Sequence, residues 1–251
     1  MSSKSLAFLL DSPLQSWGTS SRFDHRGSDP YPSKSGVVGI IAAAMGIDKH
    51  GADEEGELRP LSGLHFSVFR VSRSIGGRTP QVLLLRDYHT IGGGYDDENH
   101  WGRMSISSKA EDRRPFGTVT TYRNYLTDAV FAVVLRGEVK VLETIASALE
   151  DPVWGIWFGR KCCIPAVPVF AVIADDQDQS LANLLAKTNE LYPVPEDGNE
   201  NDLIVYRDPV LLCRDLETGE PVGPLDGADT CADTPISYGK RGHGARTVRR
   251  F

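Results

Sequence analysis

The sequence predicts an α+β fold in which the elements follow the order β-α-β-β-α-β, the ferredoxin-like plan. Three observations carry this. Continuous apolar runs of strand length occur at residues 5–10 (SLAFLL) and 129–136 (AVFAVVLR), as buried strands require. A serine-flanked start at 33–35 opens a run with apolar residues at helical spacing. An alternating stretch, 64–71 (LHFSVFRV), stands between them.

Taken in order, the first strand is bounded by Asp11-Ser12-Pro13. Residues 12–32 are rich in Gly, Pro, Ser and Asp and read as loop. Ser33 or Ser35 can cap the helix that follows, whose apolar face is Val37, Ile40, Ile41, Ala44 and Met45, with Gly46 as its stop. After strand 64–71 comes a turn at Gly76-Gly77 and a strand at 81–86. Residues 91–117 are polar and longer than a normal connection, which marks a functional insertion or a mobile hairpin. Residues 118–125 are β-prone, 129–136 form a buried strand, 141–149 an amphipathic helix, and 167–173 the closing strand. Beyond Ala174 the pattern weakens. A helix at 180–189 and short strands at 203–206 and 210–213 are expected, with loop over 215–236. The expectation is a single domain, 1–251, made of a core over 1–174 and an irregular C-terminal extension over 175–251.

Composition narrows the function. The 251 residues are 40% hydrophobic and 24% charged, the profile of an ordinary globular chain. The longest mostly apolar stretch, 37–47, falls short of the ~20 residues of a membrane helix. The run at 6–10 is shorter than a signal-peptide core of about 7–15 residues. A cytoplasmic protein without membrane contact is expected. The four cysteines make no C-x-x-C pair, so they read as reduced thiols rather than a zinc site. Net charge is −7, against a generic nucleic-acid binder, but it is unevenly placed. Residues 1–174 balance 19 basic against 19 acidic side chains, 175–236 hold 3 against 15, and 237–251 hold 5 against none. A local basic surface outside the acidic segment is compatible with this, because phosphate responds to charge within a Debye length.

No H-E-x-x-H, G-x-S-x-G or P-loop is present, so no catalytic residue, metal or cofactor is assigned. Four short segments carry recognition chemistry instead. Gln15-Ser16-Trp17-Gly18, with Arg22, offers an indole for base stacking and a guanidinium for phosphate; the alternative is a Trp lid on the core. Arg86-Asp87-Tyr88-His89 combines charge, stacking and hydrogen bonding at a strand end; the alternative is a structural Arg86–Asp87 pair. Gly159-Arg160-Lys161 places two cations after a glycine, as a ligand contact or as plain surface charge. The helix start at 32–36 adds Lys34 and Ser35 to amides that attract anions or are simply capped.

Four blocks, SPLQSWGTSSRFDHRGSDPYPSKSGVVGIIAAAMG (12–46), LRDYHT (85–90), TYRNYLTDAVFAVVL (121–135) and FGRKCCIPAVPVF (158–170), occur in this order. Together they resemble the fifth CRISPR-associated protein family, in the form of the CasD subunits of Cascade, the type I-E surveillance complex of antiviral defence. The resemblance covers much of 1–170 and little of 175–251. It implies an RRM-like core with a β-hairpin thumb at about 91–118. It implies a non-catalytic RNA-binding subunit that grips the 5′ handle of the crRNA. Its protein partners would be the large PAM-reading subunit and the helical backbone subunits, and target DNA would be met only through the complex. By the same resemblance Gln15, Ser16, Trp17 and Gly18 form a handle-side loop, and Lys34 and Ser35 lie at the helix start. Arg86, Tyr88 and His89 lie at the thumb base, Tyr122 and Arg123 on its return strand, and Arg160 and Lys161 in the last block. Lys109, Arg113 and Arg114 join them in the thumb on charge alone. The rival reading is a metal-independent endoribonuclease, as in type I-C relatives, with Tyr88, His89 and Lys109 as its chemistry. A third is an RNA-free scaffold whose aromatics and arginines are protein hot spots.

Overall fold

The computed structural model describes residues 3–18, 21–22, 24–48, 56–91, 119–192, 203–216, 228–237 and 242–251. Strand β1 (Ser3–Asp11) is buried on both faces, which is why its sequence is a continuous apolar run rather than an alternation. Leu6, Phe8 and Leu10 point to one side and Ala7 and Leu9 to the other. Short strands β2 (Leu14–Gln15), β3 (Ser21–Arg22) and β4 (His25–Arg26) interrupt what reads as loop in the sequence. Helix α1 (Lys34–Met45) is capped by Ser33, whose hydroxyl accepts from the Gly36 N–H, and ends on Gly46 at φ 72°. A short helix α2 (Leu58–Ser62) precedes β5 (His65–Ile75) and β6 (Leu83–Ile91). Then come β7 (Val119–Thr127), β8 (Val130–Glu138), α3 (Val139–Glu150) and β9 (Ala171–Ala174). The C-terminal part adds α4 (Gln177–Glu190), β10 (Ile204–Asp215), β11 (Ala228–Ser237) and β12 (Gly242–Arg250).

The result is a mixed α+β fold with two sheets. The larger has strand order β11-β12-β10-β5-β8-β1-β9, and each of its neighbouring pairs is antiparallel. α1 and α3 cover one face through Val37, Ile41, Leu142 and Ile145 against Leu6, Phe8, Phe66 and Phe131. α4 covers part of the other through Leu181 and Leu184 against Ala7, Leu9, Phe69 and Ala132. The smaller sheet has order β2-β7-β4-β3, and β6 joins it along β7.

Three sequence expectations change here. The turn at Gly76-Gly77 does not pair β5 with β6; β6 leaves for the second sheet, and only an Ile75–Arg78 bridge remains at the turn. The extension is not irregular, because β10, β11 and β12 are three of the seven strands of the main sheet. Residues 228–236, read as loop, fall in β11, and residues 242–250 of the basic tail form β12. Their cohesion comes from ion pairs rather than apolar alternation. Arg246 bridges Asp233 and Asp215, and Arg250 reaches Asp229 at 3.0 Å. These pairs join three carboxylates, Asp215, Asp229 and Asp233, to two arginines of the basic tail. The insertion expected at about 91–118, with Lys109, Arg113 and Arg114, lies outside the described residues apart from Ile91, at the end of β6. Among the described residues no helix is long and apolar enough to cross a membrane.

Candidate nucleic-acid interface

The second sheet collects aromatic and cationic side chains that lie far apart in sequence. β6 and β7 pair in register, with Tyr88 opposite Tyr122 and Arg86 opposite Asn124. β4 lies parallel to β7 on its other side, with His25 beside Tyr122 and Arg26 beside Arg123. The Tyr122 N–H donates to the Asp24 carbonyl at 2.8 Å and fixes that register. Because side chains alternate across a strand, Arg86, Tyr88, Tyr122 and His25 share one face. The His25 and Tyr88 rings lie 5.2 and 5.3 Å from the Tyr122 ring, both tilted. The Arg86 guanidinium lies over Tyr122 at 4.8 Å. Tyr88, Arg86 and His25 are exposed. His25 holds Asp24 at 2.8 Å, and that hydrogen bond keeps the Asp24 carboxyl below its usual range. Asp87 and His89 point to the opposite face, 3.6 Å apart, with Arg123 across the ladder from Asp87.

Arg160 positions this sheet. Its two terminal nitrogens donate to the carbonyls of Asn124 and Arg26, each at 3.0 Å, and its guanidinium lies 4.6 Å from the Tyr125 ring. One side chain therefore ties the 157–163 loop to β4 and β7 together. The loop can approach so closely because Gly159 adopts φ 101°. A Cβ there would fall inside the Ser16 carbonyl oxygen. Lys161 is exposed and lies over Trp157 at 5.7 Å.

Several residues expected at the interface belong to the interior. Trp17 is 1% exposed, packs on Phe158 with ring centroids 6.3 Å apart, and donates its indole N–H to Gln15 Oε1 at 3.0 Å. Gln15 is fully buried and donates to the carbonyls of Leu10 and Ala129. Ser16 is buried and donates to the Asn124 carbonyl at 3.3 Å. The core reading of Trp17 replaces the stacking one, because every polar atom of the Trp17–Gln15 pair already has an internal partner. Gly18 is exposed, and Ser35 is half-buried with its hydroxyl 3.4 Å from that of Ser33. The backbone of Arg22 lies in β3.

Lys34 is also withdrawn. It is 5% exposed, and its ammonium donates to the Leu64 carbonyl at 2.7 Å and to Asp215 at 3.0 Å. Its backbone N–H donates to Asp233 at 2.8 Å, so a carboxylate of this chain occupies the helix start. Burial opposes ionisation of Asp233, but Arg246 and Lys34 outweigh it and hold the carboxyl below its usual range. Desolvation opposes the charge on Arg246, yet Asp233 and Asp215 raise its pKa further.

Among the described residues, the main sheet joins no three rings as the second sheet joins His25, Tyr122 and Tyr88. The concavity on its α4 side, about 620 Å³, is lined by His65, Arg136 and Arg214, but also by Asp175, Asp176, Asp178 and Asp215. Those carboxylates repel phosphate. His25 is the residue that sequence reasoning missed. Its signal was the Asp-His-Arg string at 24–26 within a matched block, but only the long-range pairing of β4 with β7 brings it to Tyr122.

A family model described as CRISPR-associated protein (Cas_Cas5) matches residues 5–215. The CRISPR system Cascade subunit CasD of Escherichia coli (strain K12) is 28% identical over 193 residues, 74% of this chain and 80% of the relative. A chain of a solved CRISPR RNA-guided surveillance complex is 30% identical with a TM-score of 0.61, covering 98% of this chain and 89% of that one. A crystal structure of a Cas protein is 28% identical with a TM-score of 0.54, covering 98% and 93%.

Proposed function

The chain belongs to the CRISPR-associated Cas5 family, and from that premise we propose that it is a non-catalytic, cytoplasmic subunit of a type I-E Cascade complex that grips the 5′ handle of the crRNA. The observation that carries this is the His25–Tyr122–Tyr88 ring cluster with Arg86 above it. Stacking rings with an adjacent guanidinium suit splayed single-stranded bases and their phosphates. Arg123 lies on the opposite face of this sheet, beside Asp87, and Arg160 holds the frame from the 157–163 loop that also carries Lys161. The masking of Trp17, Gln15 and Lys34 shifts the grip from the first loop to β4, β6 and β7.

The order β9-β1-β8-β5, crossed by α1 and α3, supports reading these elements as the RRM-like core. In such a core RNA commonly lies on the sheet. Here α4 and a row of aspartates cover that side, which favours the second sheet as the platform. The subunit would help to place the large PAM-reading subunit and the adjacent backbone subunit.

The endoribonuclease reading loses support from the strand geometry. Tyr88 and His89 are consecutive on β6 and point to opposite faces, so they do not converge on one phosphodiester. The test is incubation of the purified protein with its cognate repeat RNA without metal, read on one gel. Binding with intact RNA is expected. Cleavage that disappears in His89→Ala would overturn the non-catalytic assignment.

A further inference from the structure

Residues 151–170 join α3 to β9 without regular secondary structure, yet their first part is pinned in place. The Val153 N–H donates to the Ala44 carbonyl at 2.9 Å and the Trp154 N–H to the Ala43 carbonyl at 3.2 Å. Two of the C-terminal carbonyls of α1, those of Ala43 and Ala44, thereby accept from this segment. A Cβ on Gly46 would strike the Val153 side chain at 2.9 Å, so that side chain packs directly on the Gly46 backbone. Held this way, the segment displays Val153 at 64% exposure, Trp154 at 45% and Ile164 at 63%. Single exposed apolar residues are ordinary, but a rigid group of them marks an interaction surface.

Two separate concavities flank the last turn of α3. One, about 540 Å³, runs between α1 and α3 and is lined by Ala44, Met45, Glu143, Ala148, Asp151 and Val153. The other, about 500 Å³, is lined by Leu149, Glu150, Pro152, Ile156 and Ile164 among others. Among the described residues, no lysine or arginine lines either one. The floor is apolar and the charged rim is purely acidic: Glu143, Glu150 and Asp151, all exposed. That rim repels a phosphate backbone and favours a partner whose apolar side chains are flanked by cations.

We propose that this acid-rimmed groove between α1, α3 and the 151–164 segment seats a basic amphipathic helix of a neighbouring protein subunit. The proposal rests on reading the chain as a subunit of a larger complex, and it assigns the protein contact to a different face from the RNA contact. A groove between two helices offers a helix-shaped seat for residues at i, i+3, i+4 and i+7.

The test uses the full complex, assembled with its guide RNA, and a photoreactive residue in place of Thr144, which lines the groove and is exposed. Crosslinks are expected to a segment of another subunit in which apolar residues recur at helical spacing among Lys and Arg. Glu143→Lys with Glu150→Lys is expected to lower the crosslink yield about fivefold or more, as reversed rim charges should. RNA retention and the thermal melt of that variant should match the parent. Crosslinking to RNA, to an acidic or wholly polar segment, or to nothing would overturn the proposal. So would an undiminished yield in the charge-reversed variant. A Tyr122→Ala complex measured in parallel reports on the RNA-gripping reading separately, since its failure would change RNA retention and not this crosslink.

Discussion

Tyr122 takes its neighbours from three separate stretches of chain: His25 from β4, Tyr88 and Arg86 from β6. Its ring is half-buried and its neighbours are exposed, so replacing it removes stacking surface without opening the core. Tyr122→Ala is expected to weaken binding of handle RNA about tenfold or more, in line with about 1–3 kcal/mol per stacked base, while the thermal midpoint changes little. Fluorescence anisotropy and a thermal melt on the same preparation check both. Trp17 behaves in the opposite sense. Its side chain fills the space between α1 and Phe158, with a Gly36 Cβ position only 3.0 Å from the ring. Trp17→Ala is expected to cost about 3–5 kcal/mol of stability, seen as a lowered melting midpoint, with any RNA effect following from unfolding. The sequence shows both residues as aromatics in polar surroundings. Only burial separates them, and burial depends on the Gln15 bridge to Leu10 and Ala129, which no local pattern reveals.

Among the elements, the C-terminal strands show where sequence periodicity fails. β1 and β8 are legible as continuous apolar runs because both their faces are buried, and α3 because one face meets the core at helical spacing. β11 is polar (ADTCADTPIS) and lies at the sheet edge, where cross-strand charges replace apolar alternation. The hairpin of β11 and β12 lies beyond the residues matched by the family model, yet Arg246 fastens it to Asp215 of β10 while Asp233 caps α1. Arg246→Ala removes the one side-chain cation held by buried Asp233 and leaves Asp215 to Lys34 alone, at an expected cost of about 3–5 kcal/mol. Hydrogen exchange should show β11 and β12 losing protection first. The pH dependence has a definite sign. Asp233 titrates in the fold below its unfolded value near 3.8, so its stabilisation is complete above that value and is lost as pH falls through the lower, folded value. Asp233→Asn should flatten this part of the acid limb in a pH series of thermal melts.

Across the whole molecule, charge and aromatic surface divide into two faces. β4, β6 and β7 present rings and cations, whereas α1, α3, Val153, Ile156 and Ile164 present apolar side chains beside acidic ones. The net charge of −7 hides this division, because it sums a balanced 1–174, an acidic 175–236 and a basic 237–251. The element order was readable because the core elements appear consecutively in the chain. The departure of β6 into a second sheet was not, since that depends on pairing with β7, some thirty residues later. If the RNA runs over this second sheet, its affinity carries a phosphate contribution. Arg86→Gln should then reduce the slope of log affinity against log salt by roughly 0.7 for one lost contact to a single strand.

The most direct test of the RNA face is ultraviolet crosslinking of the assembled protein to handle RNA carrying 5-iodouridine at successive positions, with the attached peptides mapped by mass spectrometry. The account predicts attachment at Tyr88, Tyr122 or His25. Attachment at Trp154 or Trp157, with the β4, β6 and β7 residues unlabelled, would contradict it.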